Sequence, residues 1–395
     1  MSLWSTLIGK KGSVLFVGHC FYHTWYLSRE LRKLGWKADT LNIDYVDAHE
    51  IYYHGEDVKF RYHKFLDLVY QPYFFIKSIL LYDVFHFSNA NTLMFGHVVR
   101  ILGEKCFSNY SDVRLLKRLG KTIVYSSNGC SDGVSQTSFS KWGDIPVCEV
   151  CIWRDRPYAC SDDKNLEWGK IRNELSDYII TFGGNRVDYN NAPHVHDVPE
   201  FYCADPEFLS PDITIPEEYR LVFPDNIVKI YHSVGNYAAR TDESTLKNIK
   251  CTHIIIPVIE RLKRDRYPVE TVFCKDVPNK VVRYYQVQSD IVVDMLTYGW
   301  FGANVIEAMM LGVPCVCYIR QEWMDIMRKE IPDYVNELPV VSANPDTIYD
   351  VLKDLIEHPE KREEIGRKSR EFAVKWHSSK SGAKRIEKIY LELLE

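Results

Sequence analysis

Short, almost wholly apolar runs alternate with longer segments of helical period along this chain of 395 residues. The alternation occurs twice, on either side of a stretch crowded with prolines. Such runs suit strands buried on both faces, and parallel strands need a crossover that a helix supplies. SVLFVGH opens the first set, and the next segment puts Leu27, Leu31 and Leu34 on one helical face before Gly35, a helix-ending residue. KADTLNI, DVFHFS, KTIVYSS and DYIITFG are further strand candidates, with helical stretches such as SDVRLLKRLG between them. A doubly wound α/β domain is therefore predicted over roughly the first half.

From about Tyr189 to Pro224 the pattern dissolves. Pro193, Pro199, Pro206, Pro211, Pro216 and Pro224 break helices and ladders alike, and the stretch reads as an interdomain connection. NIVKIYHS restarts the alternation, which runs through THIIIPVIERLKRD, VETVFCKD, DIVVDML and VPCVCYI. Beyond Asn344 come amphipathic helical segments without strands, whose charges form solvated faces. A chain this long exceeds one ordinary core, so two domains with a cleft between them are expected. The boundaries drawn are residues 1–205, with an insertion at 130–165, then 206–376, then a terminal helix at 377–395.

A net charge of −5 lacks the basic excess of nucleic-acid binders, so no nucleic-acid partner is expected. The longest apolar run, YFFIKSILLYDVFHF, is interrupted by Lys77 and Asp83, short of the roughly 20 apolar residues a spanning helix needs. MSLWSTLIGKKGSVLF places its lysines after a short apolar piece, the wrong order for a secretory signal. Eleven cysteines, scattered singly except for one cluster, suit a reducing compartment, and a cytoplasmic protein is expected.

The stretch LTYGWFGANVIEAMMLGVPCV crowds Gly299, Gly302 and Gly312 around one carboxylate, Glu307. DIVVDML delivers a loop at the carboxyl end of a buried strand, the edge where open α/β sheets bind ligands. Gly302 then stands at a helix start, where free N–H groups and the macrodipole favour an anion. Glu307, in the second turn, could accept two hydroxyls of a sugar diol. The same residues are equally compatible with a plain turn and a surface helix acid.

The glycine-bearing loop, the helix reading Glu307-Ala308-Met309-Met310-Leu311-Gly312-Val313-Pro314 and the buried strand after it resemble the family-four retaining glycosyltransferases. The resemblance is strongest from about Ile227 to Trp376. It implies the glycosyltransferase B fold: two Rossmann-like doubly wound domains facing a cleft, with C-terminal helices packing back on the first. It further implies that Glu307 holds the ribose of a nucleotide sugar, on UDP or GDP, while Gly299, Trp300, Gly302 and Ala303 lie against the diphosphate and sugar. Lys250, in KCT, and Arg240 are the implied cations for the leaving diphosphate, and no metal-binding D-x-D is present. Gly18 and His86 fall at the first domain's carboxyl edge, where His86 is implied to contact sugar or acceptor. Two departures stand out: relatives carry an acid where this chain has Gly299, and often a histidine where it has Asn128. Asp294 and Tyr298 are candidates to replace the absent acid.

Cys130, Cys148, Cys151 and Cys160 cluster in a polar stretch with weak periodicity. Four thiols including a C-x-x-C pair are candidate ligands for structural zinc, and second for an iron–sulfur cluster. Unligated thiols are the other reading. His194 and His196, in the proline-rich connection, are weaker metal candidates.

The resulting expectation is a metal-independent hexosyltransferase-like enzyme, with no catalytic cofactor, acting on a glycan or lipid-linked acceptor, with peripheral membrane association. Gly18 alone is not a dinucleotide fingerprint. The alternatives are a sugar-nucleotide epimerase or hydrolase on the same scaffold, and a catalytically dead binding subunit. The aromatic residues between Ile51 and Phe87 are read mostly as core, with acceptor contact as the second reading.

Overall fold

A computed structural model describes residues 9–18, 20–43, 53–60, 66–88, 110–127, 129–130, 132–142, 145–154, 156–183 and 185–395. His19, Asn128 and parts of the aromatic stretch after Ile51 lie outside the described residues. Strands β1 (Ser13–Val17), β2 (Lys37–Asn42), β3 (Val58–Lys59), β4 (Val84–Ser88), β5 (Thr122–Ser126), β6 (Tyr178–Thr181) and β7 (Val195–Asp197) form one sheet in the order β3-β2-β1-β4-β5-β6-β7. Every pairing in it is parallel. All residues of β1, β4 and β5 are buried, in keeping with largely apolar, uncharged sequences that suit a sheet covered on both faces. Helix α1 (His23–Lys33) returns from β1, with Leu27 and Leu31 in the core, and α2 (Asp67–Leu81) precedes β4.

The second sheet contains β8 (Val228–Val234), β9 (Val269–Lys275), β10 (Ile291–Val293), β11 (Cys315–Cys317) and β12 (Val341–Ser342), parallel in the order β12-β11-β10-β8-β9. Between its strands run α3 (Thr252–Arg264), α4 (Asn279–Val287) and α5 (Ala303–Met310). Each sheet reverses strand order beside its first strand, at β1/β4 and at β8/β10. Those reversals open a crevice at the carboxyl ends.

The chain ends in α6 (Pro359–His377) and α7 (Ser379–Leu394). α6 packs on α5, so closely that a Cβ at Gly366 would overlap the carbonyl of Gly312. α7 returns to the first domain, where Ala383, Ile386 and Tyr390 share a core with Val14, Phe16, Leu27 and Leu31. At this crossing the outward and return segments lie side by side: Ala204 N donates to His377 O at 2.8 Å, and Ser379 N to Ala204 O at 2.8 Å.

The proline-rich connection differs from its sequence reading, because β7 lies inside it. Pro193 and Pro199 flank that edge strand rather than interrupt it, so its ladder to β6 is intact. His196 stacks on Tyr178 with ring centroids 4.3 Å apart, a packing role and not a metal ligand's. β3 and β12, two residues each, were too short to leave a pattern.

Candidate functional site

A cavity of about 360 Å³ lies between the carboxyl edges of the two sheets. The first domain contributes Cys20, Phe21 and His23 after β1, Ser127 and Gly129 after β5, and Thr181 to Gly183 after β6. The second contributes Ser233 to Gly235 at the end of β8, Arg240, Lys250, Tyr298, and Trp300 to Asn304 with Ile306 and Glu307. Of the residues singled out in the sequence, the structure gathers Arg240, Lys250, Trp300, Gly302, Ala303 and Glu307 around this one space.

Gly302 caps α5 with extended backbone, and it lines the cavity together with Ala303 and Asn304 at the start of the helix. Asn304 in that turn is held by Ser233 at the end of β8, Oγ to Oδ1 at 3.2 Å. Lys250 precedes α3 and donates to both oxygens of Asp294, at 2.7 and 2.9 Å. Asp294 itself is wholly buried at the end of β10. Asp294 therefore does not replace a missing donor-binding acid; it is the counter-ion that lets a lysine sit at a helix start.

Glu307 is not a surface acid, with only 4% of its surface exposed. Its Oε1 accepts from Tyr22 Oη at 2.9 Å and Asn279 Nδ2 at 2.7 Å, and Oε2 from Gln286 Nε2 at 3.4 Å. Burial pushes its carboxyl above the usual range, against the pull of these three donors. Tyr22 belongs to the first domain, so the contact bridges the cleft. Asn279 is in turn bonded through Oδ1 to His54 Nε2 at 2.7 Å, and His54 Nδ1 meets Tyr26 Oη at 2.6 Å. Since the Asn279 amide nitrogen serves Glu307, its oxygen accepts, which places the imidazole proton on Nε2 and makes Tyr26 a donor. Burial lowers His54 to about 4, in keeping with a neutral ring. Tyr22, His54, Asn279 and Gln286 were not singled out in the sequence; only the Pro278-Asn279 helix start carried any signal, and that of position rather than role.

Gly299 has φ +99, and a Cβ there would fall far inside contact distance of the Arg320 side chain. Arg320 is fully buried and spans the domains, donating to the carbonyls of Trp142 and Ile145 in the insertion and to Thr297 in the loop. Its guanidinium lies 4.6 Å from the Trp142 ring, which faces Trp300 at 5.3 Å. The absent acid thus has a steric reason: its place is filled by an arginine that pins the loop to the insertion. Gly299 shapes the loop from behind and does not line the cavity.

Two further expectations are corrected. His86 is fully buried away from the cavity, between Ser126 Oγ at 2.6 Å and Tyr390 Oη at 2.5 Å, and burial lowers it to about 3. Its strand position placed it on the face that α7 covers. Gly18, with φ +80, turns the chain after β1 and donates to Leu41 O at 3.0 Å, while Cys20 and Phe21 reach the cavity instead.

Cys130, Cys148, Cys151 and Cys160 are free and half-buried. Cys130 is pushed up to about 12 by burial and by its three neighbours Cys151, Cys148 and Cys160, and it bonds to the Tyr298 hydroxyl. The cluster is therefore real and sits behind the glycine loop. Among the described residues no group of three or more His, Cys, Asp or Glu is, as placed, arranged to hold a metal. Cys130 and Cys148 pack against the core shared with Tyr298 and Trp300, more apolar company than the sequence suggested.

Residues 261–372 match the family described as glycosyl transferases group 1. No curated protein sequence matches the chain. Among solved structures, sucrose-phosphate synthase from Thermosynechococcus elongatus is 12% identical with a TM-score of 0.54, over 97% of this chain and 99% of that one. Anabaena HepE in complex with UDP-glucose is 11% identical with a TM-score of 0.53, over 96% of this chain and all of the other. These likenesses cover both sheets, whereas the family match falls within the second half, where Glu307 and the glycine loop lie. The chain thus has the glycosyltransferase B fold and resembles the family-four enzymes, with its match to the group 1 glycosyl transferases lying in the second half.

Proposed function

We propose that this protein transfers a sugar, with retention, from a nucleoside diphosphate donor to a hydroxyl of a glycan or lipid-linked acceptor, without a catalytic metal. The observation that carries the reading is the convergence of Arg240, Lys250 and the α5 N-terminus on one cavity at the reversal points of both sheets. The C1–O bond to the diphosphate breaks as the acceptor oxygen forms its bond on the same face, and the departing phosphate oxygen takes the acceptor's proton. Fixed cations and amide dipoles at the departing phosphates would supply the main stabilisation. Glu307 would exchange Tyr22 for a ribose hydroxyl. The similar fold of HepE, solved in complex with UDP-glucose, favours uridine as the base.

A thermal-shift panel of UDP, GDP and their sugars tests the reading. Stabilisation by one diphosphate, with transfer that survives EDTA, supports it; no shift with any of them removes it. The displaced acid at Gly299 favours one second reading, a donor-binding subunit that does not turn over. Binding without transfer or hydrolysis across an acceptor panel would select that reading, and hydrolysis without acceptor would select an epimerase or hydrolase. Structural zinc at the four thiols remains a proposal in which metal must draw the thiols together and strip their protons, and elemental analysis of chelator-free protein decides it.

A further inference from the structure

The charges that line the cavity all come from one side. Arg240, Lys250 and Glu307 belong to the second domain, while among the described residues no charged side chain lines it from the first. His23, at the start of α1, keeps to this division. Its Nδ1 lies 2.6 Å from Cys203 O, and a carbonyl only accepts, so Nδ1 carries the proton. Burial lowers the ring to about 4, so it is neutral at neutral pH. Its Nε2 has no partner among the described residues and remains as a lone pair for a ligand in the cavity that His23 lines.

Asn185, after β6, is oriented by a buried relay. Arg172 can only donate, and its Nη2 meets Asn190 Oδ1 at 2.9 Å. Asn190 therefore turns its nitrogen to Asn185, Nδ2 to Oδ1 at 3.0 Å. That leaves the Asn185 amide nitrogen without a partner among the described residues, on a side chain that lines the cavity. All three residues are at most 5% exposed, so the protein and not solvent fixes this order of donors. The hydroxyls nearby are already engaged: Thr181 donates to Asp197 Oδ1 at 2.6 Å, Ser127 to Asp132 Oδ2 at 3.1 Å, and Tyr202 to Ser127 O.

We infer that this wall is a subsite for a neutral sugar ring of the acceptor, which donates one hydroxyl to His23 Nε2 and accepts at another from Asn185 Nδ2. Phe21, Phe182 and Tyr202 on the same wall, and Trp300 from the second domain, offer aromatic faces to the ring's C–H surface. Gly183 lets Asn185 and Trp300 meet, since a Cβ there would lie 3.1 Å from the indole and 3.2 Å from Asn185 Oδ1. A carboxylate or phosphate on the acceptor would lose its hydration here and find no counter-charge. The inference rests on the transferase reading and narrows its acceptor.

The test is saturation-transfer NMR of the full chain, with and without UDP or GDP. The probes are the methyl glycosides of glucose, galactose, mannose and N-acetylglucosamine, with methyl glucuronide and glycerol 3-phosphate as charged counterparts. At least one neutral glycoside should bind, about tenfold or more tighter than either charged probe. Asn185→Ala should weaken it by about three- to tenfold. Asn190→Asp acts at a distance: its carboxylate only accepts, so Asn185 must turn its nitrogen inward and present oxygen to the cavity. Binding should fall at least as far, while the melting temperature holds because Arg172 gains a carboxylate partner. Preferential binding of a charged probe, no binding of any neutral glycoside, or unchanged affinity in either folded variant would overturn the inference. Glycoside binding with no nucleotide-induced thermal shift sinks the transferase reading alone, and nucleotide shifts without glycoside binding sink the subsite alone.

Discussion

Helices α5 and α2 are both rich in apolar residues, yet α5 is enclosed from Val305 to Met310 while α2 turns its aliphatic stripe outward. α5 lies between the second sheet and α6, so its side chains have partners on every side and even Glu307 is drawn into the interior. α2 buries a mixed side, Phe74 and Phe75 with Asp67, Gln71 and Ser78, in the first domain's core, and leaves its other apolar side exposed. The difference teaches that composition fixes how much apolar surface a helix offers, while the neighbours decide whether that surface is core or interface.

Gly299→Glu tests the enclosed side of this comparison most severely. Placing there the acid that the resembling enzymes carry puts a side chain at positive φ into Arg320, and a loss of more than about 4 kcal/mol of stability, or failure to fold, is expected by denaturant titration. Lys250→Met comes next, because it strands the buried Asp294 carboxylate, and should cost about 3–5 kcal/mol together with donor-induced stabilisation. Adding Asp294→Asn should restore much of the stability without restoring the donor response; recovery of both would show that Lys250 acts only as a counter-ion.

A direct pairing of the two helices follows. Met309→Ala should cost about 2–5 kcal/mol, whereas Ile76→Ser should stay within about 0.5 kcal/mol. Equal costs would mean that the α2 stripe is covered. Tyr22→Phe is the mildest, at about 1 kcal/mol, and its signature is in the pH profile. Because burial holds the folded Glu307 carboxyl above its unfolded value, the folded state binds the proton more tightly, and stability falls as pH rises through the window between the two. Loss of the Tyr22 donor should move the upper end of that window higher in thermal melts across pH; an unmoved profile would detach Tyr22 from Glu307.

Strands with largely apolar sequences, such as β1 and β4, were legible because burial on both faces leaves few positions for a charged side chain. β7 was hidden by prolines that flank it, and the two-residue β3 and β12 by brevity. In the site, Glu307 was legible as a carboxylate among glycines at a strand's carboxyl end, while Arg240 and Lys250 were named through the family resemblance. Tyr22, His54 and Asn279 were not, since they act by meeting across a fold, with up to 285 positions between partners. His86 shows the converse error, because position at the end of a strand does not tell which face a side chain takes.

The paired crossing at Ala204 and Ser378 has a mechanical consequence. Two segments stitched by two backbone hydrogen bonds resist twisting and sliding, but fold readily about the line across them, like a strip hinge. A swing about that line would part the Tyr22–Glu307 hydrogen bond, which joins the two sides of the cleft.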